Sequence, residues 1–249
     1  MIHSFLLIGQ SNMAGRGYLD EAPEIDTSRI KILRNGRWQE MFRPINPDRS
    51  FSGTSLAESF AECYAKKYNV DVGLICCADG GTSLDQWKVG DVLFDNAVSQ
   101  AKLAMRSSAL VGVLWHQGES DCREELYTTY EKRFVVLMDA LRRELDIEDV
   151  PFLVGGLGDF LKDCALDDNL KTYPHVNEAL KSIAQNNKMT GFVSAQGLLP
   201  NPDNLHFNAQ ALYEFGIRYF DEYEKLVKKD RYISEIGDKD SVRTAMEKL

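Results

Sequence analysis

Two short segments far apart in the chain carry the residue types of nucleophilic catalysis. Ser11 directly follows an apolar run, and Gly9 and Gly15 on either side of it let the backbone turn sharply. Near the other end, Asp203 precedes His206 by three residues in a proline-containing loop. At that spacing the aspartate can accept the Nδ1–H of the histidine and leave Nε2 facing a hydroxyl group. Together the two segments are compatible with hydrolysis through a serine nucleophile.

A hydrolase of this kind also needs hydrogen-bond donors for the negative charge that develops on the substrate oxygen. Gly80 and Gly81 leave open backbone N–H groups after a second apolar run, and Gln117 follows a third run with a side-chain amide. Glu119 lies two residues further on and could orient an imidazole, as Asp203 could. The sequence therefore predicts an oxyanion hole that includes Gln117, and it leaves two candidate acids open.

Other uses of these residues fit the sequence less well. The segment 9–15 lacks the glycine spacing of both common phosphate-binding loops. His116, Glu119, Asp203 and His206 are metal-ligating types, but no paired-histidine spacing supports a metal site. We therefore predict neither a bound metal nor a cofactor.

The residues beside these segments are candidates for substrate binding. Trp87 offers an apolar plane against which a sugar ring could pack, although tryptophans more often belong to a core. The irregular stretch 19–52 is long for a connection in a compact domain, and such loops are usually functional or contain a small hairpin. We expect four side chains to contact the substrate: Gln10, Asn12, Arg16 and Trp87.

The candidate segments end apolar runs that alternate with stretches of helical periodicity. This alternation predicts parallel pairing, because a parallel neighbour requires a crossover, which is usually a helix. Strands are expected over 2–8, 72–78, 110–116, 152–155 and 191–194, and helices over 55–68, 91–105, 124–145, 173–186 and 209–228. The predicted fold class is an α/β domain with a doubly wound, five-stranded parallel sheet, in which ligands bind beyond the carboxyl ends of the strands.

Local patterns add detail to this outline. Ser55 and Glu58 have the spacing of a capping box at the start of the first long helix. Within 19–52, Asn35-Gly36 suits a tight hairpin turn between two short runs. We find no linker and no internal repeat, so residues 1–249 are predicted to form one domain with a loosely attached tail over 231–249.

The composition excludes several classes of protein. With 44% hydrophobic and 27% charged residues, the chain of 249 residues is neither disordered nor of low complexity. Its formal net charge of −9 disfavours nucleic-acid and anionic-membrane partners, since both need clustered cations. Five cysteines without a C-x-x-C unit indicate free thiols in a reducing compartment. We expect a cytoplasmic protein, and the oligomeric state stays open.

Taken together and in order, four segments resemble the SGNH (GDSL-like) hydrolase superfamily. The resemblance is closer to its sialic-acid-esterase-type branch of carbohydrate acetyl esterases, which includes acetylxylan esterases. The segments are 9–15 (GQSNMAG), 80–83 (GGTS), 115–121 (WHQGESD) and 203–206 (DNLH). The resemblance implies a three-layer, flavodoxin-like fold, with Ser11 as nucleophile, His206 as general base, and the backbone N–H groups of Ser11 and Gly81 in the oxyanion hole.

This chain departs from the superfamily in its third segment. The superfamily normally has an oxyanion asparagine there, whereas this chain has Gln117 as the substitute. The acid is ambiguous as well, because some similar relatives orient the histidine with the equivalent of Glu119 rather than of Asp203.

The resemblance implies removal of acetyl groups from small acetylated carbohydrates, with acetylxylan-type oligosaccharides favoured. Five acids at strand ends predict a negative crevice that suits a neutral sugar better than an acidic one: Asp79, Asp85, Glu119, Asp121 and Asp203. Two other classes stay open. An acyl-ester or thioester hydrolase of the same fold would need an apolar acyl channel, and a silent carbohydrate-binding domain would keep the crevice without the chemistry.

Overall fold

Seven strands form one sheet in this computed structural model, which describes the backbone of residues 1–246 and the side chains of residues 1–228. The strands are β1 (Ile2–Gly9), β2 (Ile30–Arg34), β3 (Arg37–Glu40), β4 (Val72–Cys76), β5 (Ser108–His116), β6 (Phe152–Gly155) and β7 (Thr190–Val193). Their spatial order is β3-β2-β4-β1-β5-β6-β7, and neighbours are parallel except in the β2–β3 hairpin.

Helices cover both faces of this sheet. The described helices are α1 (Ser11–Ala14), α2 (Leu56–Tyr68), α3 (Val92–Ala104), α4 (Glu124–Tyr127), α5 (Tyr130–Leu145), α6 (Tyr173–Asn186) and α7 (Ala209–Met246). The chain moves from β1 to β4 in one direction and from β4 through β5 to β7 in the other. Because such crossovers are right-handed, α2 lies on one face and α3, α5 and α6 lie on the other. α7 packs against α2 and completes the three-layer arrangement.

The predicted five-stranded parallel sheet is confirmed in type but wrong in number. The five expected strands form the continuous set β4-β1-β5-β6-β7. The Asn35-Gly36 hairpin adds the other two, because Ile30 and Ile32 of β2 pair with the outer side of β4 and are fully buried there. One-sided burial of a short strand gives a weaker sequence signal than the continuous apolar run of β1, which both helical layers cover.

Two helix boundaries also differ from expectation. The helix predicted over 124–145 is interrupted at Thr128 and Thr129, which separate α4 from α5. The last helix continues past residue 228 to Met246. The loosely attached tail predicted for 231–249 falls outside the described side chains, and its last three residues fall outside the described backbone as well.

The predicted capping box at the start of α2 is present and also supports the nucleophile segment. The hydroxyl of Ser55 accepts the N–H of Ala57 and donates to the carbonyl oxygen of Met13 in α1 at 2.7 Å. Glu58 closes the box by accepting the N–H of Ser55 at 3.0 Å. The start of α2 is thereby tied to the short helix that begins at Ser11.

We expect Ser55→Ala to lower the free energy of unfolding by about 1 to 2 kcal/mol, because it removes a cap and leaves a buried carbonyl without its donor. Urea unfolding followed by circular dichroism measures the change. Asp91→Ala is the matched control, since Asp91 stands at the start of α3 without a side-chain capping bond. An equal effect of both substitutions would contradict the role of the capping box.

Candidate active site

Ser11 lies where β1 and β5, the strands at which the sheet order reverses, end side by side. Gly9 makes this approach possible: its φ is +126°, and a Cβ there would lie 2.1 Å from the carbonyl oxygen of His116 at the end of β5. The chain then turns into α1, of which Ser11 is the first residue. Its side-chain oxygen is 3.0 Å from Nε2 of His206. Open α/β sheets bind their ligands at this point of the fold.

The loop between β7 and α7 holds His206 against both Ser11 and Asp203. A bridge between Pro200 and Phe207 closes the loop. Nδ1 of His206 is 2.7 Å from Oδ2 of Asp203, whose Oδ1 accepts the backbone N–H groups of Leu205 and His206. The structure therefore joins Ser11, His206 and Asp203 in one hydrogen-bonded chain.

The Asp203 carboxylate is strongly stabilised in its charged form. Partial burial acts to raise its pKa, but the hydrogen bonds from His206 and Leu205 outweigh burial and lower the pKa of Asp203 to about 2. The carboxylate is thus ionised over the whole neutral range. A fixed negative charge at Nδ1 favours the tautomer that leaves Nε2 free to accept a proton from a hydroxyl.

Glu119, the other candidate acid, does not contact His206 in the structure. Its Oε1 accepts the side-chain amide of Asn12 at 2.6 Å and lies 3.8 Å from Nδ1 of His116. Its Oε2 is buried without a hydrogen-bond partner. Burial lowers the pKa of His116, which keeps that imidazole neutral. Glu119 lines the cavity in front of Ser11, but its bonds join elements rather than orient the histidine.

Asn12 is a connector rather than a substrate contact. The side chain is 1% exposed, and its amide donates to Glu119 while its carbonyl oxygen accepts the N–H of Phe207 at 3.1 Å. These bonds fasten the Ser11 turn to the segment after β5 and to the His206 loop. The prediction that Asn12 contacts substrate is wrong, because both ends of its amide are used inside the protein.

The oxyanion donors that the family resemblance implies are the backbone N–H groups of Ser11 and Gly81. Gly81 has a φ of +77°, which favours glycine, and an added Cβ would meet nothing within 4 Å. Neither N–H group donates a hydrogen bond within the described part of the chain, and both residues line the cavity. These are the features that binding of an oxyanion requires.

Gln117 is not available as the third donor. Its side chain is fully buried, and the amide nitrogen donates to the carbonyl oxygen of Thr82 at 3.1 Å and to Asp121 at 2.6 Å. Its oxygen accepts the hydroxyl of Tyr130. The prediction of an oxyanion role is therefore wrong for Gln117, since every polar group of its amide is already bonded.

Gln10 offers the free side-chain amide that Gln117 lacks. Its oxygen faces the backbone N–H groups of Gly118 and Ser120 at 3.5 Å each, which turns its nitrogen toward the cavity that Gln10 and Ser11 both line. No hydrogen bond of that nitrogen occurs within the described residues, and 3% of Gln10 is accessible to solvent. A contact between Gln10 and the substrate stays a prediction.

Arg16 lines the cavity but is already engaged by an acid that the sequence did not single out. Its guanidinium forms a double hydrogen bond with Asp48 at 3.0 and 2.7 Å. Asp48 also accepts the N–H of Gly80 at 2.9 Å, immediately before Gly81. Burial opposes ionisation of Asp48, yet the bonds from Arg16 and Ser52 lower its pKa. The buried ion pair thus holds the glycine pair in place.

Trp87 belongs to the core and not to the cavity. The side chain is 1% exposed, its ring packs edge-on against Trp115 with centroids 5.5 Å apart, and its N–H donates to the hydroxyl of Thr82. The prediction that it carries a sugar ring is wrong, because no face of the indole reaches solvent. The exposed aromatic ring of the cavity is that of Phe51, within the irregular stretch 19–52.

The cavity in front of Ser11 has a volume of about 640 Å³ and is not the negative crevice that the sequence predicts. Its charged lining residues are Arg16, Arg49, Arg123, Glu119 and Asp167. Three of the five strand-end acids form an ion pair with a cation: Asp79 with Arg49, Asp85 with Lys88, and Asp121 with Arg133. Local pairing therefore cancels charges that the sequence shows only as acids.

The part of the chain that the structure describes contains neither a cluster of metal-ligating side chains nor a membrane-spanning helix. Within it, no three histidine, cysteine or acidic side chains converge in a way that could hold a metal ion. Among the same residues, no helix has both the length and the apolar character of a membrane span.

The sheet order and the solved structures that resemble it define the class of fold, a three-layer α/β architecture with a mainly parallel sheet. The chain belongs to the carbohydrate esterases described as sialic acid-specific acetylesterases, whose family model matches residues 1–225. It is therefore a carboxylic ester hydrolase of the carbohydrate acetylesterase type.

Known relatives agree with this assignment over most of the chain. A probable carbohydrate esterase of Arabidopsis thaliana is 27% identical over 242 residues, which cover 88% of this chain and 89% of that protein. The crystal structure from the same Arabidopsis locus has a TM-score of 0.78 at 26% identity and covers 90% of this chain and 98% of its own. NanS shares the fold, with a TM-score of 0.69 at 17% identity. The match covers 92% of this chain and 98% of the NanS chain.

Proposed function

We propose that this protein is a serine O-acetylesterase of acetylated carbohydrates that works through an acetyl-enzyme intermediate. The observation that carries the proposal is the hydrogen-bonded chain of Ser11, His206 and Asp203 at the mouth of the cavity. Two open backbone N–H groups lie in the same cavity, at Ser11 and Gly81. Membership in the carbohydrate esterases supports the substrate class.

The reaction follows from the positions of these atoms. Oγ of Ser11 forms a bond to the acetyl carbonyl carbon while its proton moves to Nε2 of His206. The carbonyl oxygen becomes an oxyanion, which receives hydrogen bonds from the N–H groups of Ser11 and Gly81 and from the amide of Gln10. The carbon–oxygen bond to the sugar then breaks, and the sugar oxygen takes the proton from His206. Water repeats the sequence on the acetyl-enzyme and releases acetate.

The cavity lining supports a carbohydrate over a long acyl chain. Most lining residues are polar or charged, whereas an acyl-ester or thioester hydrolase needs an apolar channel. Acetylated xylo-oligosaccharides remain our proposed substrates. Three of the strand-end acids are paired with cations, so the charge of the cavity does not favour a neutral sugar over an acidic one. Cytoplasmic location also stays a prediction.

A substrate series tests both parts of this proposal. Among p-nitrophenyl esters from acetate to octanoate, we expect the highest kcat/KM for acetate, because most residues that line the cavity are polar or charged and do not form an apolar acyl channel. A maximum at long chains would instead identify an acyl-ester hydrolase, and folded protein without activity would identify a binding domain.

The choice of sugar requires a direct comparison. We expect faster release of acetate from O-acetylated xylotriose than from O-acetylated N-acetylneuraminic acid, both measured by an enzyme-coupled acetate assay. The opposite ranking would reject the xylo-oligosaccharide and assign Arg49 or Arg123, which both line the cavity, a part in binding the sugar carboxylate.

A further inference from the structure

Phe51 is an exposed aromatic side chain beside the proposed nucleophile. It lines the same cavity as Ser11 and His206, and 69% of it is accessible to solvent. Exposed aromatic groups that line a cavity mark binding sites more often than scattered apolar residues do. Nothing in the proposed reaction uses Phe51, so its position calls for a separate explanation.

The guanidinium of Arg16, which is held in a fixed position, packs on one face of the Phe51 ring. The guanidinium carbon of Arg16 lies 5.3 Å from the ring centroid, and Arg16 is itself locked by its double hydrogen bond to Asp48. Among the residues with described side chains, no other ring or cation packs on Phe51. The remaining surface of the ring is therefore open to solvent, at the edge of the cavity that Phe51 lines.

The backbone on both sides of Phe51 is fixed as well. The hydroxyl of Ser52 donates to Asp48 at 2.8 Å, and the backbone N–H of Ser52 donates to the carbonyl oxygen of Arg49. One residue further on, the N–H of Gly53 donates to the carbonyl oxygen of Gly15 next to the nucleophile turn. A ring held in this way loses little conformational freedom when a ligand binds to it.

We infer that Phe51 is the platform on which the sugar ring of the substrate stacks, a specificity-determining role that rests on the proposed function. The C–H groups on one face of a pyranose carry partial positive charge and match the negative face of an aromatic ring. Stacking on Phe51 would hold the sugar while its acetyl group reaches Ser11. The contact concerns the sugar and not the acetyl group, so it affects substrate binding more than the chemical step.

The chain provides a matched control in Phe42. This ring also packs against a guanidinium, with Arg34 at 4.2 Å from its centroid, and it is 46% exposed. It does not line the cavity of Ser11. Phe42→Ala therefore removes an exposed ring that packs on an arginine, as Phe51→Ala does, but it leaves the proposed sugar site unchanged.

The test compares Phe51→Ala, Phe51→Tyr and Phe42→Ala on O-acetylated xylotriose and on ethyl acetate, which has no ring. We expect Phe51→Ala to raise KM for the saccharide about five- to tenfold with little change in kcat. Its kcat/KM for ethyl acetate should stay within about twofold of the wild type. Phe51→Tyr should restore KM, and Phe42→Ala should change neither substrate. An unchanged KM for the saccharide, or an equal loss on both substrates, would overturn the inference.

A binding measurement separates this inference from the proposed function. Calorimetric titration with unacetylated xylotriose needs no catalysis, and Phe51→Ala should weaken binding about five- to tenfold while Phe42→Ala does not. Wild-type protein that binds xylotriose through Phe51 but hydrolyses no ester would reject the proposed function and keep the platform. Absence of xylotriose binding, or equal affinity in wild type and Phe51→Ala, would reject the platform.

Discussion

Ser11→Ala is expected to lower kcat/KM for an acetyl ester by on the order of 10⁴-fold or more, since removal of a nucleophile eliminates the acyl-enzyme route. The side chain of Ser11 makes one hydrogen bond, to His206, so the fold should survive its loss. Steady-state kinetics on p-nitrophenyl acetate give the effect, and circular dichroism confirms folding. A fluorophosphonate probe should label Ser11 in the wild type, as read by mass spectrometry of the modified peptide.

Ser120→Ala is the control for this substitution. Ser120 lines the same cavity, but no hydrogen bond of its side chain occurs among the described residues. We expect its activity to stay within about threefold of the wild type. Activity of Ser11→Ala near that of Ser120→Ala, or labelling at another residue, would assign the nucleophile elsewhere.

Asp203→Asn is expected to lower kcat by roughly 10³- to 10⁴-fold, while Glu119→Gln lowers it by about tenfold or less. An asparagine can turn its amide N–H toward Nδ1 of His206 and so favour the tautomer that cannot accept the proton of Ser11. A glutamine at position 119 keeps an oxygen that can accept the amide of Asn12. Kinetics of both variants at matched stability decide between the acids. A large loss of kcat in Glu119→Gln, together with a nearly unchanged kcat in Asp203→Asn, would reverse the assignment.

The pH dependence of stability gives an independent readout for Asp203. Its pKa of about 2 lies below the usual value, so ionised Asp203 stabilises the folded state above about pH 4. That contribution is lost as the pH falls from there toward 2. The difference in Tm between wild type and Asp203→Asn should thus be largest near neutral pH and shrink in acid. A difference that does not change with pH would mean that His206 does not hold the carboxylate.

The residues that end strands were the most predictable part of the site. Ser11 and Gly81 follow apolar runs, and the carboxyl ends of parallel strands meet at one edge of a sheet. The placement of Asp203 beside His206 follows from a three-residue spacing within one loop. Such local relations need no knowledge of distant packing, which is why sequence patterns identify them.

The direction in which a side chain points could not be predicted in the same way. Gln117 and Gln10 both stand near strand ends, yet one is bonded internally and the other faces the cavity. The choice depends on partners such as Thr82 and Asp121, which are brought together only when loops after different strands pack. Trp87 likewise lies in the core because Trp115 of β5 packs against it.

The irregular stretch 19–52 carried the least sequence signal and supplies part of the cavity wall. Asp48 and Phe51 show no periodicity and stand in no motif, so only their contacts with Arg16 reveal them. The charge near the cavity has the same origin in part, since Asp79 acquires its partner Arg49 from a distant segment, whereas Asp85 and Lys88 are only three residues apart.

The sequence by itself determined the α/β class, the parallel core of the sheet and the residues that meet at its switch point. Those features depend on short-range periodicity and on the general rules of strand connection. Only the tertiary structure decided which side chains around Ser11 are free and which charges are neutralised. Burial and hydrogen bonding belong to pairs of groups far apart in the chain, and no pattern within one segment records its distant partner.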